Sequence, residues 1–181
     1  MRIIAGKYKG KILNSFKLDT TRPTSDMVRS SLFNIIGEKI IDSDFLDLFG
    51  GTGACGIEAD SRGAKKVTIV DHHIESINLI NKNIKLVKSG NINVVNQDYD
   101  KFLSYCKDSK LKFDIIFIDP PYKSNFGEIS IDYILDNHLV KDDGLIIWEH
   151  DKEKLQILDK YANFNIRTKK YGIKYLTIFE F

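Results

Sequence analysis

From Phe45 onward, short apolar runs and amphipathic stretches alternate along the chain with a regularity that leaves few folds open. The apolar runs Phe45–Phe49, Lys66–Asp71, Ile92–Asn96, Asp114–Asp119 and Leu145–Glu149 have the length of buried strands. Between them, Ala54–Ser61, Ile74–Val87, Tyr99–Lys107 and Ile129–Asn137 carry apolar residues at helical spacing, and each is long enough for a right-handed crossover. Such a chain is expected to form an α/β fold, with a parallel sheet covered by helices on both faces. A further helix is expected at Lys152–Lys160. The last two runs, Asn163–Lys170 and Tyr175–Phe181, are joined so tightly at Tyr171-Gly172-Ile173-Lys174 that they must pair as an antiparallel hairpin at one sheet edge, making seven strands, mostly parallel.

Upstream of this body, the runs around Ile3-Ile4 and Lys11-Leu13 flank Gly6-Lys7-Tyr8-Lys9-Gly10 and read as a short β-hairpin. Thr24 or Ser25 is placed to cap a helix with Val28, Leu32, Phe33, Ile35 and Ile36 on its apolar face. The expected organisation is therefore a basic amino-terminal hairpin appendage over residues 1–21 and a main α/β domain over residues 22–181. Residues 1–39 hold 8 Lys/Arg against 3 Asp/Glu, whereas the other 142 residues hold 19 against 22. A basic front end on a slightly acidic body points to a polyanionic partner, with Arg2, Lys7, Lys9 and Lys11 as phosphate contacts and Tyr8 as a stacking face.

Composition removes several other classes. At 43% hydrophobic and 29% charged, the 181 residues are those of a folded domain rather than a disordered or fibrous chain. The longest apolar runs, such as Ile115-Ile116-Phe117-Ile118, fall far short of the roughly 20 residues that cross a bilayer. Cys55 and Cys106 are widely separated and the histidines lack metal-ligand spacing, so no disulfide framework or metal site is expected, and a reducing cytoplasm is the expected compartment.

Two segments carry the chemistry. Gly51, Gly53 and Gly56 in Asp47-Leu48-Phe49-Gly50-Gly51-Thr52-Gly53-Ala54-Cys55-Gly56 form G-x-G-x-x-G between a strand and a helix, and Asp71 follows at the end of the next strand. Glycines there let backbone amides approach a ligand at a helix N-terminus, and the acid can accept from both ribose hydroxyls, so a nucleoside cofactor is expected. The second segment is Asp119-Pro120-Pro121-Tyr122, which holds two of the three prolines in the chain at the carboxyl end of a parallel strand. Prolines fix φ and lack an N–H, so the Asp119 carboxylate and the Pro120 carbonyl can both face a cleft as acceptors. Two such acceptors suit an exocyclic amine, with Tyr122 offering a stacking face to the base.

Asp119-Pro120-Pro121-Tyr122 resembles the motif of S-adenosylmethionine-dependent methyltransferases that modify exocyclic amino groups of nucleobases. With Met1-Arg2-Ile3-Ile4-Ala5-Gly6-Lys7-Tyr8-Lys9-Gly10, Thr21-Arg22-Pro23-Thr24-Ser25-Asp26, Leu32-Phe33-Asn34 and Gly56-Ile57-Glu58-Ala59-Asp60-Ser61-Arg62-Gly63-Ala64, the whole chain is similar to the bacterial 16S ribosomal RNA (guanine-N2)-methyltransferase family. The resemblance implies a Rossmann-like class I methyltransferase fold with S-adenosyl-L-methionine as cofactor. It implies that Asp47, Gly51 and Gly53 line the methionine part of the cofactor and that Asp71 holds the ribose, with His72 beside it. Asp98 and Tyr99 would border the adenine, Asp98 accepting from its amino group, while Arg22 and Asn34 would border the cofactor or target pocket. The implied substrate is 16S rRNA within an assembled or partly assembled small ribosomal subunit, acted on by a monomer. Asp60 stands where the family usually has an apolar residue, Met27 where a basic one is common, and Gly50 and Thr52 replace common Ala and Ser.

Other activities share parts of this pattern. An adenine-N6 or cytosine-N4 methyltransferase shares the acceptor motif, although 181 residues leave no room for an added target-recognition domain. An NAD(P)-dependent oxidoreductase fits the glycine loop and Asp71 but leaves the paired prolines unexplained, and a silent RNA-binding assembly factor would need neither Asp119 nor the loop. Trp148 reads as core or edge packing, His72 and His73 as exposed loop residues, and Cys55 as a small residue packed beneath the loop.

Overall fold

The computed structural model describes residues 1–16, 23–121 and 124–181. Its centre is a seven-stranded sheet in the order β3-β2-β1-β4-β5-β7-β6. Here β1 is Asp44–Asp47, β2 Lys66–Asp71, β3 Ile92–Asn96, β4 Phe113–Ile118, β5 Val140–His150, β6 Asn165–Tyr171 and β7 Lys174–Glu180. Strands β1 to β5 run parallel, and β7 joins β5 antiparallel with β6 outside it, as the short connection between the last two strands requires. Helices α1 (Pro23–Ile36), α2 (Ala54–Ser61) and α3 (Ile74–Val87) cover one face; α4 (Tyr99–Asp108), α5 (Phe126–Asp136) and a 3-10 segment at Lys152–Tyr161 cover the other.

Because successive strand residues point to opposite faces, the apolar strands feed two separate cores. Phe45, Val67, Ile69, Ile115, Phe117 and Ile147 meet Leu32, Phe33 and Ile80 on one face. Leu46, Val70, Ile116, Ile118, Ile146 and Trp148 meet Phe102, Leu103, Ile131 and Ile134 on the other. The chain leaves β1 toward β2 on one side, while β4 lies on its other side, so a crevice opens where the β1 and β4 ends part.

Residues 1–13 fold back as a hairpin, with an Arg2–Ile12 bridge and hydrogen bonds from the Ile3 amide to the Lys11 carbonyl (3.0 Å) and from the Leu13 amide to that of Met1 (2.9 Å). Ile3 and Leu13 are buried against Ala54, Ile57 and Val87, giving the hairpin a small core shared with α2 and α3. Gly6 passes the end of α2 so closely, at φ +80°, that a Cβ there would stand 1.8 Å from the Ser61 carbonyl oxygen. Beneath it, the buried Glu58 carboxylate accepts the amides of Ile4 (2.8 Å) and Ala5 (3.0 Å) and the Nε–H of Arg62 (2.7 Å), with Arg29 Nε 4.0 Å away. Part of the basic front end is thus structural: Arg29 is 4% exposed and donates to the Arg2 carbonyl (2.6 Å), and Lys7 pairs with the fully buried Asp60 at 2.9 Å.

The structure revises several element limits. Helix α1 starts at Pro23, so Thr24 and Ser25 fall in its first turn rather than before it, and proline suits that first position because its missing N–H would have no partner there. Helix α5 starts at Phe126, earlier than Ile129, and β5 starts at Val140 rather than Leu145, pairing with Phe113 across an irregular register. The segment after β5 winds as a 3-10 helix.

Candidate functional site

The glycine loop leaves β1 and turns into α2 with Gly51 and Gly53 at φ +54° and +78°, a backbone region that β-carbon-bearing residues avoid. Asp71, at the end of β2, fastens the loop: its Oδ2 accepts the Gly51 amide at 2.8 Å and its Oδ1 the His73 amide at 2.8 Å. Asp47 is buried beneath the loop, where its Oδ2 accepts the Gly56 amide at 3.0 Å and holds the start of α2. Burial pushes the Asp47 carboxyl up to about 7, with Asp119 and Asp71 adding to the rise. Asp47 therefore acts on the loop from below and does not line the cleft above it.

That cleft has a volume of about 700 Å³ and brings Gly51, Asp71, His72, Asp98, Tyr99 and Asp119 together. Its size and mixed lining suit a nucleoside-sized ligand. The Tyr99 ring lies 5.3 Å from that of Phe49 and 5.0 Å from that of Phe126, giving the cleft an aromatic side. Asp98 is half-exposed and pairs with Lys101 at 3.0 Å. His72 and His73 are exposed, with ring centroids 3.7 Å apart. These residues fit S-adenosylmethionine: an acid, Asp71, whose oxygens keep lone pairs beyond the two amides they hold, a glycine-rich loop, and an aromatic slot.

A second cleft of about 920 Å³ lies across the acceptor segment, and Asp119, Pro120 and Pro121 line both. Its walls include Glu149, Asp151 and Lys174, and buried Trp148 lies in its lining. The helix opposite can approach because residue 127 is glycine: a Cβ there would stand 2.4 Å from Trp148 Nε1. Lys174 Nζ lies 3.2 Å from Asp151 and 3.8 Å from Glu149. Burial drives the Glu149 carboxyl up to about 8, with Asp119 pushing the same way and Lys174 opposing. Burial likewise raises Asp119 to about 6, opposed by Lys174 and aided by Asp151. Asp119 is thus an anion near neutral pH in a crowded acidic setting, suited to accept from a neutral amine.

Other sequence-predicted residues lie elsewhere. Tyr122 and Arg22 fall outside the described residues. Asn34 is exposed on α1 and lines neither cleft. On the hairpin, Lys7 and Lys11 place their Nζ atoms 4.9 and 5.7 Å from the Tyr8 ring centroid, while Arg2 and Lys9 are exposed. Sequence reasoning missed Phe49, Phe126, Glu149 and Lys174; the strand register, which sets Ile118 beside Trp148 and His150 opposite Tyr175, is what gathers the last two beside Asp119. Cys55 is half-buried and packs against the core beneath the loop.

Among the described residues no helix is long and apolar enough to cross a membrane. The family model described as conserved hypothetical protein 95 matches residues 1–180. The chain is 37% identical over 156 residues to the ribosomal RNA small subunit methyltransferase D of Haemophilus influenzae, covering 85% of this chain and 80% of that protein. It is 32% identical over 182 residues to the Bacillus subtilis protein YlbH, named as a candidate rRNA methyltransferase, covering 99% and 98%. The solved Escherichia coli protein yhhF, titled as a candidate methyltransferase, superimposes with a TM-score of 0.84 at 33% identity, covering 99% of this chain and 97% of that one.

Proposed function

We propose, for a chain that belongs to the conserved hypothetical protein 95 family together with the ribosomal RNA small subunit methyltransferase D proteins, that it transfers a methyl group from S-adenosyl-L-methionine to the exocyclic N2 of a guanine in 16S rRNA. The observation that carries this reading is the shared wall: Asp119, Pro120 and Pro121 line a cleft suited to a nucleoside cofactor and, on their other side, a second cleft wide enough for a base.

The cofactor supplies an electrophilic methyl on a sulfonium. Asp71 accepts from the ribose hydroxyls, Tyr99 and Phe49 flank the adenine, Asp98 accepts a hydrogen bond from its amino group, and Gly51 and Gly53 leave room for the methionine portion. A guanine N2 is a poor nucleophile because its lone pair is delocalised into the ring. Asp119 and the Pro120 carbonyl accept its two N–H donors, hold the nitrogen pyramidal and aim the lone pair at the methyl, with reacting atoms about 3–3.5 Å apart. Asp119 then accepts the proton released on N-methylation. The target base reaches the cleft turned out of its stack, with Tyr122 as a stacking partner.

The hairpin's Arg2, Lys9 and Lys11 contact phosphates, Lys7 does so from its place on Asp60, and Tyr8 stacks. So small a basic area favours a substrate that contributes docking surface of its own, an assembled or partly assembled small subunit, met in the cytoplasm by a monomer. Residues 1–21 serve as the RNA-facing appendage and residues 22–181 as the catalytic unit. The test is incubation with tritiated-methyl S-adenosylmethionine and small subunits from cells lacking this protein, followed by nucleoside analysis. Label in N2-methylguanosine is the expected result; label in another nucleoside, or none, overturns the reading.

A further inference from the structure

We infer that Glu149 and Lys174 read the target base beside Asp119, Glu149 accepting from guanine N1–H and Lys174 donating to guanine O6; this rests on the guanine-N2 methyltransferase reading above. The three residues sit at the ends of three adjacent strands: Asp119 just after β4, Glu149 in β5, Lys174 at the start of β7, in the sheet order β4-β5-β7. Parallel pairing of Ile118 with Trp148 puts Asp119 and Glu149 side by side, and antiparallel pairing of His150 with Tyr175 brings Lys174 to the same end. All three line the cleft beyond the acceptor segment. Across that end of the sheet the order is acceptor, acceptor, donor.

A guanine presents N2–H, N1–H and O6 in sequence along one edge, which is donor, donor, acceptor. Adenine and cytosine present a ring lone pair next to their exocyclic amine, which faces Glu149 unfavourably once that carboxyl is ionised, the form that guanine N1–H favours. With Glu149 ionised, the row complements guanine rather than adenine or cytosine. Glu149 and Lys174 are 13% and 8% exposed at their side chains, so both groups are held away from bulk water, and their 3.8 Å separation is longer than a hydrogen bond. Lys174 also pairs with Asp151 at 3.2 Å, which places its ammonium at this end of the sheet. Burial raises the Glu149 and Asp119 carboxyls, with Asp151 adding to both and Lys174 opposing, and the donors of a guanine edge would stabilise their ionised forms.

The test couples enzyme variants to a base analogue in a reconstituted small subunit carrying either guanine or 2-aminopurine at the mapped target. 2-Aminopurine keeps the N2 amine but lacks N1–H and O6. On guanine, Glu149→Met and Lys174→Met should each lower kcat/KM by about tenfold to a hundredfold, with the S-adenosylhomocysteine Kd within twofold of wild type. Glu149→Gln should recover most of the first loss, because its amide oxygen still accepts from N1–H. Wild type should lose a similar factor on 2-aminopurine, and the Met variants should lose little more there. Losses that multiply, or Met variants as active as wild type on guanine, overturn the inference while leaving the methyltransferase reading intact. Absence of any wild-type transfer to guanine N2 overturns both.

Discussion

Replacing Glu58 by alanine should separate the amino-terminal hairpin from the body. The carboxylate is fully buried and serves four groups at once: the amides of Ile4 and Ala5, the Nε–H of Arg62, and the charge of Arg29. Arg29, itself 4% exposed, would keep its bonds to the Arg2 carbonyl and Asp26 but lose its buried counter-charge. Removing one member of a buried ion pair costs about 3–5 kcal/mol. The two amides add about 1 kcal/mol each where water cannot fully replace the carboxylate. A loss of about 4 kcal/mol or more is expected, a large share of the roughly 5–15 kcal/mol that holds a domain folded. For a chain of this length it corresponds to a fall in Tm of about 8–16 °C. Urea unfolding followed by the fluorescence of Trp148, the single tryptophan, measures the loss. Trypsin cleavage at Lys7, Lys9 and Lys11 under native conditions reports whether the hairpin has lifted. Glu58→Gln should fall about midway, since one oxygen remains to accept. An alanine variant within about 1 kcal/mol of wild type, with unchanged protection from trypsin, would refute the assignment of Glu58 as the anchor.

Asp119→Ala should lower kcat at least a hundredfold while the S-adenosylhomocysteine Kd stays within threefold; lost cofactor affinity with normal turnover of the bound complex contradicts its placement against the acceptor amine. With the Asp119 carboxyl near 6, kcat should also decline as pH falls through about 6, because the protonated acid cannot accept the amine's donors. Asp47, raised to about 7 in the folded state, binds a proton that the unfolded chain releases near pH 4, so its contribution to stability is fully present below about pH 4 and is lost as pH rises toward 7. Urea titrations across that range should therefore slope less steeply for Asp47→Asn than for wild type, and parallel slopes would contradict the burial argument. Gly127→Ala forces a Cβ to within 2.4 Å of Trp148 Nε1 unless the helix or indole moves, and should cost about 1–3 kcal/mol with a shifted tryptophan emission maximum; an unshifted spectrum at wild-type stability would count against the tight approach.

Where one physical rule dominates, the fold was legible in the sequence. Strands β2 and β3 and helices α2 and α3 have the limits their apolar spacing predicts, since nothing local competes with it. The start of β5 was not, because Lys141-Asp142-Asp143-Gly144 has the composition of a turn, yet Lys141 is drawn into the sheet by its pairs with Asp44 (2.7 Å) and Asp114 (2.8 Å). Gly127 hid the first turn of α5, a helix-weakening residue kept where an indole leaves no space for a side chain. The cofactor side of the site announces itself through contiguous motifs. The Glu149 and Lys174 side does not, because those residues are distant in sequence and meet only through strand register. Charge counting misled at Arg29, whose partner Glu58 sits 29 positions away.

The sheet's open edges have a consequence for how the protein behaves at high concentration. An outer strand presents unpaired backbone groups that a neighbouring molecule's strand could join. At one border β6 exposes Arg167, Lys169 and Lys170, and an identical strand laid beside it would bring cation against cation. The β6 border is thus guarded against self-association by like charge, and neutralising Lys169 and Lys170 would remove that guard.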